Sequence, residues 1–287
     1  MSRMIDGRPS ETALEVAAAR AAHLRFDPEP HLLEDVHAES LLDEDGRALI
    51  RRYGDDGPWI LKENRLFLPL RARFVEDRLV EAHARGCRQL VILGAGLDSF
   101  AWRQPEGLAD LRIYEVDHPA TQAWKVERLA SLGWAVPANV RLVACDFESQ
   151  TASKALAATG FDASSPALVS WMGVVYYLER ETADGAMTDL AGLLAPGSEV
   201  VFDAMLPWES MPPRYHEIRD AMTAYLKGAD EPHVNRYEPE EILAALAEAG
   251  FSEASVADRD ELAGRYVDPT GTTIPLSERF MLVVARR

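Results

Sequence analysis

The chain has 287 residues, of which 47% are hydrophobic, enough to build one large α/β domain with a full core. Its formal net charge of −17 argues against nucleic acid as a substrate, because phosphate binding depends on a basic surface. No apolar run reaches the length of a membrane span, and the first residues lack the apolar core of a signal peptide, so we expect a cytoplasmic protein with no membrane partner.

The sequence before residue 86 predicts an N-terminal helical cap over residues 1–85. We expect an Ala-rich helix over 11–26, a second helical stretch over 32–52 that is interrupted near Gly46, and a long helix over 66–85.

Residues 86–204 then alternate between short apolar runs and helical patterns, which is typical of a doubly wound parallel sheet. The expected strands are 89–93, 111–115, 140–145, 167–171 and 198–204. The expected helices between them lie near 119–132, 150–159 and 180–195. This segment is interpreted as the cofactor-binding core.

Residues 205–236 interrupt the alternation with four prolines and several aromatic residues, and are interpreted as a lid insertion after strand five. A helix over 239–249 and an antiparallel hairpin of 253–267 and 278–286 complete the core within residues 237–287. The predicted fold is therefore a single α/β domain over 1–287, with a doubly wound, Rossmann-like, seven-stranded sheet.

The cysteine and histidine content predicts no metal centre. Cys87 and Cys145 both flank predicted strands, so we interpret them as buried and reduced. The seven histidines are scattered and lack the spacing of metal ligands.

A glycine loop after the first predicted strand is the most informative feature of the chain. Gly94-Ala95-Gly96 follows the apolar run 90–93, and the next apolar run, 111–114, leads to Glu115 and Asp117. A carboxylate about 20 residues beyond such a loop, at the end of strand two, is the pattern that holds a ribose. We therefore expect a ligand that contains adenosine, with Asp117 favoured over Glu115 as the ribose acceptor.

Two adenosine cofactors fit this pattern, a nicotinamide dinucleotide and S-adenosylmethionine. A dinucleotide fingerprint ends in a third glycine, whereas this chain has Ser99 there, directly after Asp98. A carboxylate at Asp98 would repel a pyrophosphate, but it would attract the ammonium group of a cofactor that carries an amino acid. The loop thus favours the methyl donor.

Four segments of the chain, GAGLDSFAWR, YEVDHP, CDFE and SWMGVVYYL, resemble the class I methyltransferases related to leucine carboxyl methyltransferase. The resemblance extends from TALEVAAARAAH near the start to ERFMLVVARR at the end. This family includes bacterial carboxyl O-methyltransferases of polyketide and peptide pathways. The chain departs from many relatives at Met172, where they have a glutamate, so the role of that glutamate is not transferred.

The resemblance implies a set of cofactor contacts. Asp146 would meet the adenine amino group, and the backbone of Phe147 would contact the adenine ring. An arginine of the R-x-R stretch, Arg71 or Arg73, would bind the cofactor carboxylate; we choose Arg73, although a surface ion pair with Asp77 explains it equally well from sequence alone. The expected cofactor-binding residues are Arg73, Gly94, Ala95, Gly96, Asp98, Glu115, Asp117, Asp146, Phe147 and Trp171.

The methyl acceptor is expected to meet the cofactor at the carboxyl edge of the sheet. The candidate acceptor-binding residues follow strand four or lie in the lid, and are Met172, Tyr176, Tyr177, Trp208 and Tyr215. No convincing acid–base pair is present, and His216 and Tyr176 are only weak candidates for a catalytic base. A carboxylate needs no base, since it is already ionised near neutral pH.

The sequence therefore predicts an S-adenosylmethionine-dependent O-methyltransferase that acts on a small-molecule or peptide acceptor, with a carboxylate favoured over a hydroxyl. A NAD-dependent oxidoreductase and a non-catalytic S-adenosylmethionine-binding module are the alternatives. The identity of the acceptor and the oligomeric state are left open.

Overall fold

A seven-stranded sheet organises the molecule, whose computed structural model describes residues 10–147, 149–228 and 232–287. The strands are β1 Gln89–Leu93, β2 Arg112–Asp117, β3 Val140–Ala144, β4 Ala167–Trp171, β5 Glu199–Met205, β6 Glu253–Val256 and β7 Phe280–Arg286. Their order is β3-β2-β1-β4-β5-β7-β6, parallel except for β7, which is antiparallel to both its neighbours. This confirms the predicted doubly wound α/β fold.

Helices cover both faces of this sheet. They are α1 Glu11–Phe26, α2 Ala38–Leu41, α3 Glu44–Ile50, α4 Trp59–Ala84, α5 Phe100–Arg103, α6 Pro119–Ser131, α7 Ala152–Leu156, α8 Arg180–Leu193, α9 Pro213–His216, α10 Arg219–Gly228, α11 Pro239–Ala249 and α12 Arg259–Leu262. Every residue of β1, β4 and β5 is buried, which explains why these strands are mainly apolar on both faces instead of alternating between apolar and polar residues.

Two predicted helical boundaries were wrong in the N-terminal segment. The break in the second stretch comes at Leu42 and Asp43 rather than at Gly46, because the Asp43 side chain accepts a hydrogen bond from the Gly46 amide (2.8 Å) and so starts α3. The long helix begins at Trp59, seven residues earlier than predicted, and Pro69 lies inside it.

The predicted C-terminal hairpin is correct in its pairing but wrong in its first strand. Strand β6 ends at Val256, because the Asp258 side chain accepts a hydrogen bond from the Glu261 amide (2.9 Å) and begins α12. Helical turns then continue to Thr270 before the chain returns to β7.

The segment predicted as a lid is helical in part. It contains a short 3-10 turn at Trp208–Ser210, α9 and α10, and residues from 232 onward run back beside β5 and the turn Val175–Tyr177. Within the described ranges, no helix combines the length and apolar character that a membrane span requires.

Candidate functional site

A cavity of about 660 Å³ lies at the carboxyl edge of the parallel strands. Its floor is the glycine loop after β1 together with the ends of β2 and β3, including Asp117 and Asp146. Its walls come from α1, α4, the loop after β4 and the extended segment at Pro232 and Val234. Ligands of open α/β sheets bind in this position, outside the carboxyl ends of the strands.

The glycine loop lets backbone approach the cavity closely. Gly94 and Gly96 have φ values of +68° and +49°, a region that other residues rarely adopt. A Cβ at Gly94 would collide with the Val174 side chain, which packs over the loop. Ala95 lines the cavity between the two glycines. The loop is thus shaped for a ligand held against bare main chain.

Asp117 ends β2 and faces this loop. Its carboxylate accepts hydrogen bonds from the backbone amides of Gly96 and His118, the latter at 2.6 Å. Burial raises the pKa of Asp117, and the two amide hydrogen bonds oppose that rise. Since a carboxylate has about four acceptor positions, two remain for the hydroxyls of a ribose.

Glu115 does not reach the cavity, so the expectation that it contacts the cofactor was wrong. It is 1% exposed and forms an ion pair with Lys125 at 2.6 Å. The Lys125 ammonium also donates to the backbone carbonyl of Asp98 (2.8 Å). Burial raises the pKa of Glu115, and Lys125 opposes that shift. The pair therefore holds the glycine loop in place from its buried side, away from the cavity.

Asp98 lies at the cavity as predicted. One carboxylate oxygen accepts from the Phe100 amide at 2.8 Å, and the other lies 3.9 Å from the Arg20 guanidinium. Arg20, on α1, also donates to the Leu97 carbonyl (2.6 Å) and pairs with buried Asp35 (3.1 Å). Sequence reasoning missed Arg20, because nothing in the sequence indicates that α1 folds back over the loop.

The two arginines of the R-x-R stretch differ completely in environment, and the structure favours Arg71 over the predicted Arg73. Arg73 has a side chain 46% exposed, pairs with Asp77 at 2.7 Å and does not line the cavity. Arg71 lines the cavity and is buried. On a helix, residues two apart point in widely different directions, so only one of them can face the sheet.

Arg71 is held by a network that spans three elements. Its Nη1 donates to Asp203 Oδ2 on β5 (2.6 Å) and to the Tyr176 hydroxyl (3.2 Å). Asp203 Oδ1 accepts from the Gly173 amide at 2.6 Å. Burial would lower the pKa of Arg71, but Asp203 outweighs it and raises that pKa, so the guanidinium stays charged. The rest of this planar fork faces the cavity region and suits a carboxylate.

Asp146 and Phe147 line the cavity at the end of β3, where an adenine could lie between them and Gly94. Trp171 does not line it, and the expectation that it contacts the cofactor was wrong. Its side chain is 2% exposed and packs in the core, 5.7 Å from the Phe202 ring. The last residue of a buried strand can point away from the site edge, and the neighbouring Met172 lines the cavity instead.

Of the expected acceptor residues, Met172, Tyr176 and Tyr177 line the cavity, whereas Trp208 and Tyr215 do not. Tyr215 is fully buried, and its hydroxyl donates to Glu63 (2.8 Å) in a separate apolar cluster. Trp208 packs against Arg236, whose guanidinium lies 4.4 Å from the ring centroid. Both side chains hold the insertion in place by packing, and neither lines the cavity.

Neither weak catalytic candidate is arranged as a base. His216 is exposed, away from the cavity, and its Nε2 donates to the Trp208 carbonyl (2.6 Å). Tyr176 accepts from Arg71, and burial and then Asp203 raise the pKa of its hydroxyl well above the usual value. Within the described ranges, no cluster of three histidine, cysteine or acidic side chains is arranged to hold a metal ion.

Comparison with known proteins gives one family. The family model described as leucine carboxyl methyltransferase matches residues 13–191. A protein of Bacillus subtilis (strain 168), provisionally named an S-adenosyl-L-methionine-dependent methyltransferase, is 33% identical over 215 residues, which cover 68% of this chain and 70% of that protein. One of Frankia alni with the same provisional name is 32% identical over 268 residues, covering 90% of this chain and 86% of the relative.

Solved structures show the same fold at low sequence identity. A DUF574 family protein from Streptomyces avermitilis superposes with a TM-score of 0.60 at 15% identity, over 98% of each chain. A provisionally assigned methyltransferase from Thermobifida fusca superposes with a TM-score of 0.58 at 18% identity, over 93% of this chain and 97% of that one.

Proposed function

The chain belongs to the leucine carboxyl methyltransferase family and is an S-adenosylmethionine-dependent methyltransferase, and from this premise we propose that it methylates an oxygen of a small-molecule or peptide acceptor, with a carboxylate favoured over a hydroxyl. The cofactor, when bound, supplies the electrophilic methyl group. The residues of the cavity bind it, orient the acceptor and exclude water.

The proposed cofactor contacts are made by residues that line the cavity. Asp117 would hold the ribose hydroxyls, and Asp146 with Phe147 would hold the adenine. Arg71 would bind the carboxylate of the methionine part, and Asp98 would face its ammonium. The main support is the pairing of bare backbone at Gly94 and Gly96 with carboxylates at the adjoining strand ends.

The observation that carries the choice of a carboxylate is that the described cavity lining offers no histidine with a free acceptor nitrogen. Among the described lining residues the histidine is His118, and its Nδ1 accepts a hydrogen bond from the Ala120 amide (3.2 Å) as the cap of α6. A phenol or alcohol must lose a proton during transfer and needs such a base. A carboxylate has already lost its proton near neutral pH.

A labelled-methyl assay tests this proposal on a panel of carboxylic acids and phenols. Label transferred to a carboxylate is released as methanol by mild base, whereas label on an aryl ether is stable. We expect base-labile label and a rate that stays flat above about pH 6, because a carboxyl group with an ordinary pKa near 4 is ionised there. His216→Ala should leave turnover within a few-fold of wild type.

Base-stable label would contradict carboxyl methylation. A rate that climbs with pH, together with a loss of roughly 10²–10⁴-fold on removal of one side chain, would identify a base-dependent hydroxyl acceptor instead. Binding of S-adenosylhomocysteine without any transfer, on either class of acceptor, would favour a non-catalytic binding module.

A further inference from the structure

Behind Tyr176 and Tyr177, which line the cavity, lies a layer of three hydrogen-bond donors, His233, Arg236 and Arg279. The proposed methyl transfer does not use this layer. His233 lies between Pro232 and Val234, which both line the cavity. Its imidazole contacts the rings of Tyr176 and Tyr177 edge-on, with centroids at 4.7 and 4.9 Å. His233 is therefore separated from the acceptor region only by the side chains of Tyr176 and Tyr177.

Among the described residues, neither nitrogen of the His233 imidazole has a hydrogen-bond partner, although both atoms are buried. A buried polar group without a partner is rare and energetically unfavourable. Burial, and then Arg236 and Arg279, lower the pKa of His233 to about 3, so the ring is neutral and keeps one N–H donor. A ligand group that accepts from this donor would remove the penalty.

Two arginines, Arg236 and Arg279, act electrostatically on this imidazole, and Leu206 contacts the side chain of the first and the backbone of the second. Arg236 Nη1 donates to the Leu206 carbonyl (2.9 Å), and the Leu206 amide donates to the Arg279 carbonyl (2.9 Å). Within the described ranges neither guanidinium forms an ion pair; Glu209 and Glu63 act on them only from a distance. Arg279 is 2% exposed; its Nη2 donates to Asn64 Oδ1 and its Nη1 to Met222 Sδ (3.7 Å), while its Nε has no partner among the described residues.

The cavity itself has the opposite character. Five acidic residues line its floor and walls, Glu76, Asp98, Asp117, Asp146 and Glu179, while its two arginines, Arg20 and Arg71, are already paired with aspartates. An anionic acceptor would be repelled over most of this surface. The layer of His233, Arg236 and Arg279 is the described part of the site where an acid group would be attracted.

We propose that His233, Arg236 and Arg279 form a subsite, behind the Tyr176 and Tyr177 rings, that binds an acid group of the methyl acceptor. This inference rests on the proposed function, because it assigns the acceptor of that same cavity to the class of aromatic or apolar carboxylic acids. The tyrosine rings would contact the apolar body of the acceptor, and the guanidinium groups would neutralise its charge.

The test is equilibrium binding to the complex with S-adenosylhomocysteine, using benzoate and cyclohexanecarboxylate as probes and benzamide as the uncharged analogue of benzoate. The acids should bind more tightly than the amide. Arg236→Gln and His233→Phe should each weaken acid binding about tenfold or more, as expected for hydrogen bonds to a charged group, and leave S-adenosylhomocysteine binding unchanged. Arg219→Gln removes a charge from the exposed α10 and should change neither affinity.

Equal binding of acid and amide, no acid binding at the highest soluble concentration, or full acid binding in both variants would overturn the subsite. The methyl-ester assay separates this failure from that of the proposed function. Ester formation at wild-type KM in both variants would keep carboxyl methylation and remove the subsite. Acid binding that needs Arg236 and His233, with label found only as a base-stable ether, would keep the subsite and remove carboxyl methylation.

Discussion

Arg71 and Asp203 form a buried ion pair, Nη1 to Oδ2 at 2.6 Å, that joins the long helix α4 to strand β5. Because the other oxygen of Asp203 accepts from the Gly173 amide, the pair also fixes the loop after β4. The arginine is thereby presented to the cavity in a single orientation while its charge is retained. Residues that are far apart in the sequence thus fix the orientation of one polar side chain of the proposed cofactor site.

Arg71→Lys should weaken S-adenosylhomocysteine binding by about 1.5–3 kcal/mol, because an ammonium cannot reproduce the bidentate geometry of a guanidinium on a carboxylate. Arg73→Lys, two residues further along the same helix, is the matched control and should leave affinity unchanged. Calorimetry on both variants measures this. Equal losses in the two variants, or a loss only in Arg73→Lys, would contradict the assignment.

Asp117→Asn and Glu115→Gln should separate ligand binding from folding. Asp117→Asn should weaken S-adenosylhomocysteine binding by roughly 1.5–3 kcal/mol, since a carboxylate acceptor for the ribose is lost. Glu115→Gln leaves the buried Lys125 ammonium without its counterion, so the free energy of unfolding should fall by about 3–5 kcal/mol. Calorimetry and denaturant unfolding on each variant give the two numbers, and unchanged affinity in Asp117→Asn would remove the ribose assignment.

Gly94→Ala should abolish measurable cofactor binding and lower stability. The added methyl would collide with Val174, and a left-handed backbone costs a residue other than glycine about 1–2 kcal/mol. Gly185→Ala, inside α8 with open space around it, is the control and should raise stability by about 0.5–1 kcal/mol. A folded Gly94→Ala protein that binds S-adenosylhomocysteine normally would show that close backbone approach is not required there.

Helix α10 should behave as the moving part of the insertion. None of its side chains is buried, and the Tyr225 hydroxyl donates to Glu15 on α1 at 3.0 Å. Hydrogen exchange along α10 should be fast in the free protein and slow with cofactor or acceptor bound, and Tyr225→Phe should reduce that protection. Tyr114→Phe removes a hydroxyl bonded to the Gly160 carbonyl and should not. Strong protection of α10 in the free protein would make it a fixed wall.

Acid should destabilise the folded chain through His233. Burial and then the two arginines depress its pKa to about 3, below the value of 6.5 for an exposed histidine, so the unfolded chain binds the proton first as pH falls. The stability conferred by this neutral ring is present above pH 6.5 and is lost toward pH 3, by about 1.4 kcal/mol per pH unit. In His233→Phe the free energy of unfolding should fall less steeply between pH 6 and pH 4, with a slope smaller by up to about 1.4 kcal/mol per pH unit. Parallel curves for the two proteins would contradict the burial of an uncharged imidazole.

Sequence alone located the strands that matter, and its errors have definite physical causes. Strands β1 and β4 were predicted at their observed bounds, because a fully buried strand is a short apolar run with a glycine turn or polar residue at its end. Arg71 and Arg73 could not be separated, since their choice depends on how α4 is rotated against the sheet. Only tertiary packing decides that rotation.

Residues whose role depends on a distant partner were missed or misplaced. Glu115 has the spacing of a ribose acceptor, but Lys125 on the next helix turns it into a structural ion pair. His233 has no local pattern that marks it; its environment comes from Tyr176, Arg279 and β5, which are far away in the chain. The lid boundary remains a prediction, although parts of residues 205–236 are packed as firmly as the core.

Helix α1, which the sequence placed in a separate cap, supplies Ser10, Thr12, Ala13, Val16 and Arg20 to the cavity. A fragment beginning at residue 86 would retain every glycine and aspartate of the nucleotide motif and still present a half-open trough to solvent. A fragment trimmed to the nucleotide motif would therefore lose the cavity wall formed by α1, and Arg71 with it.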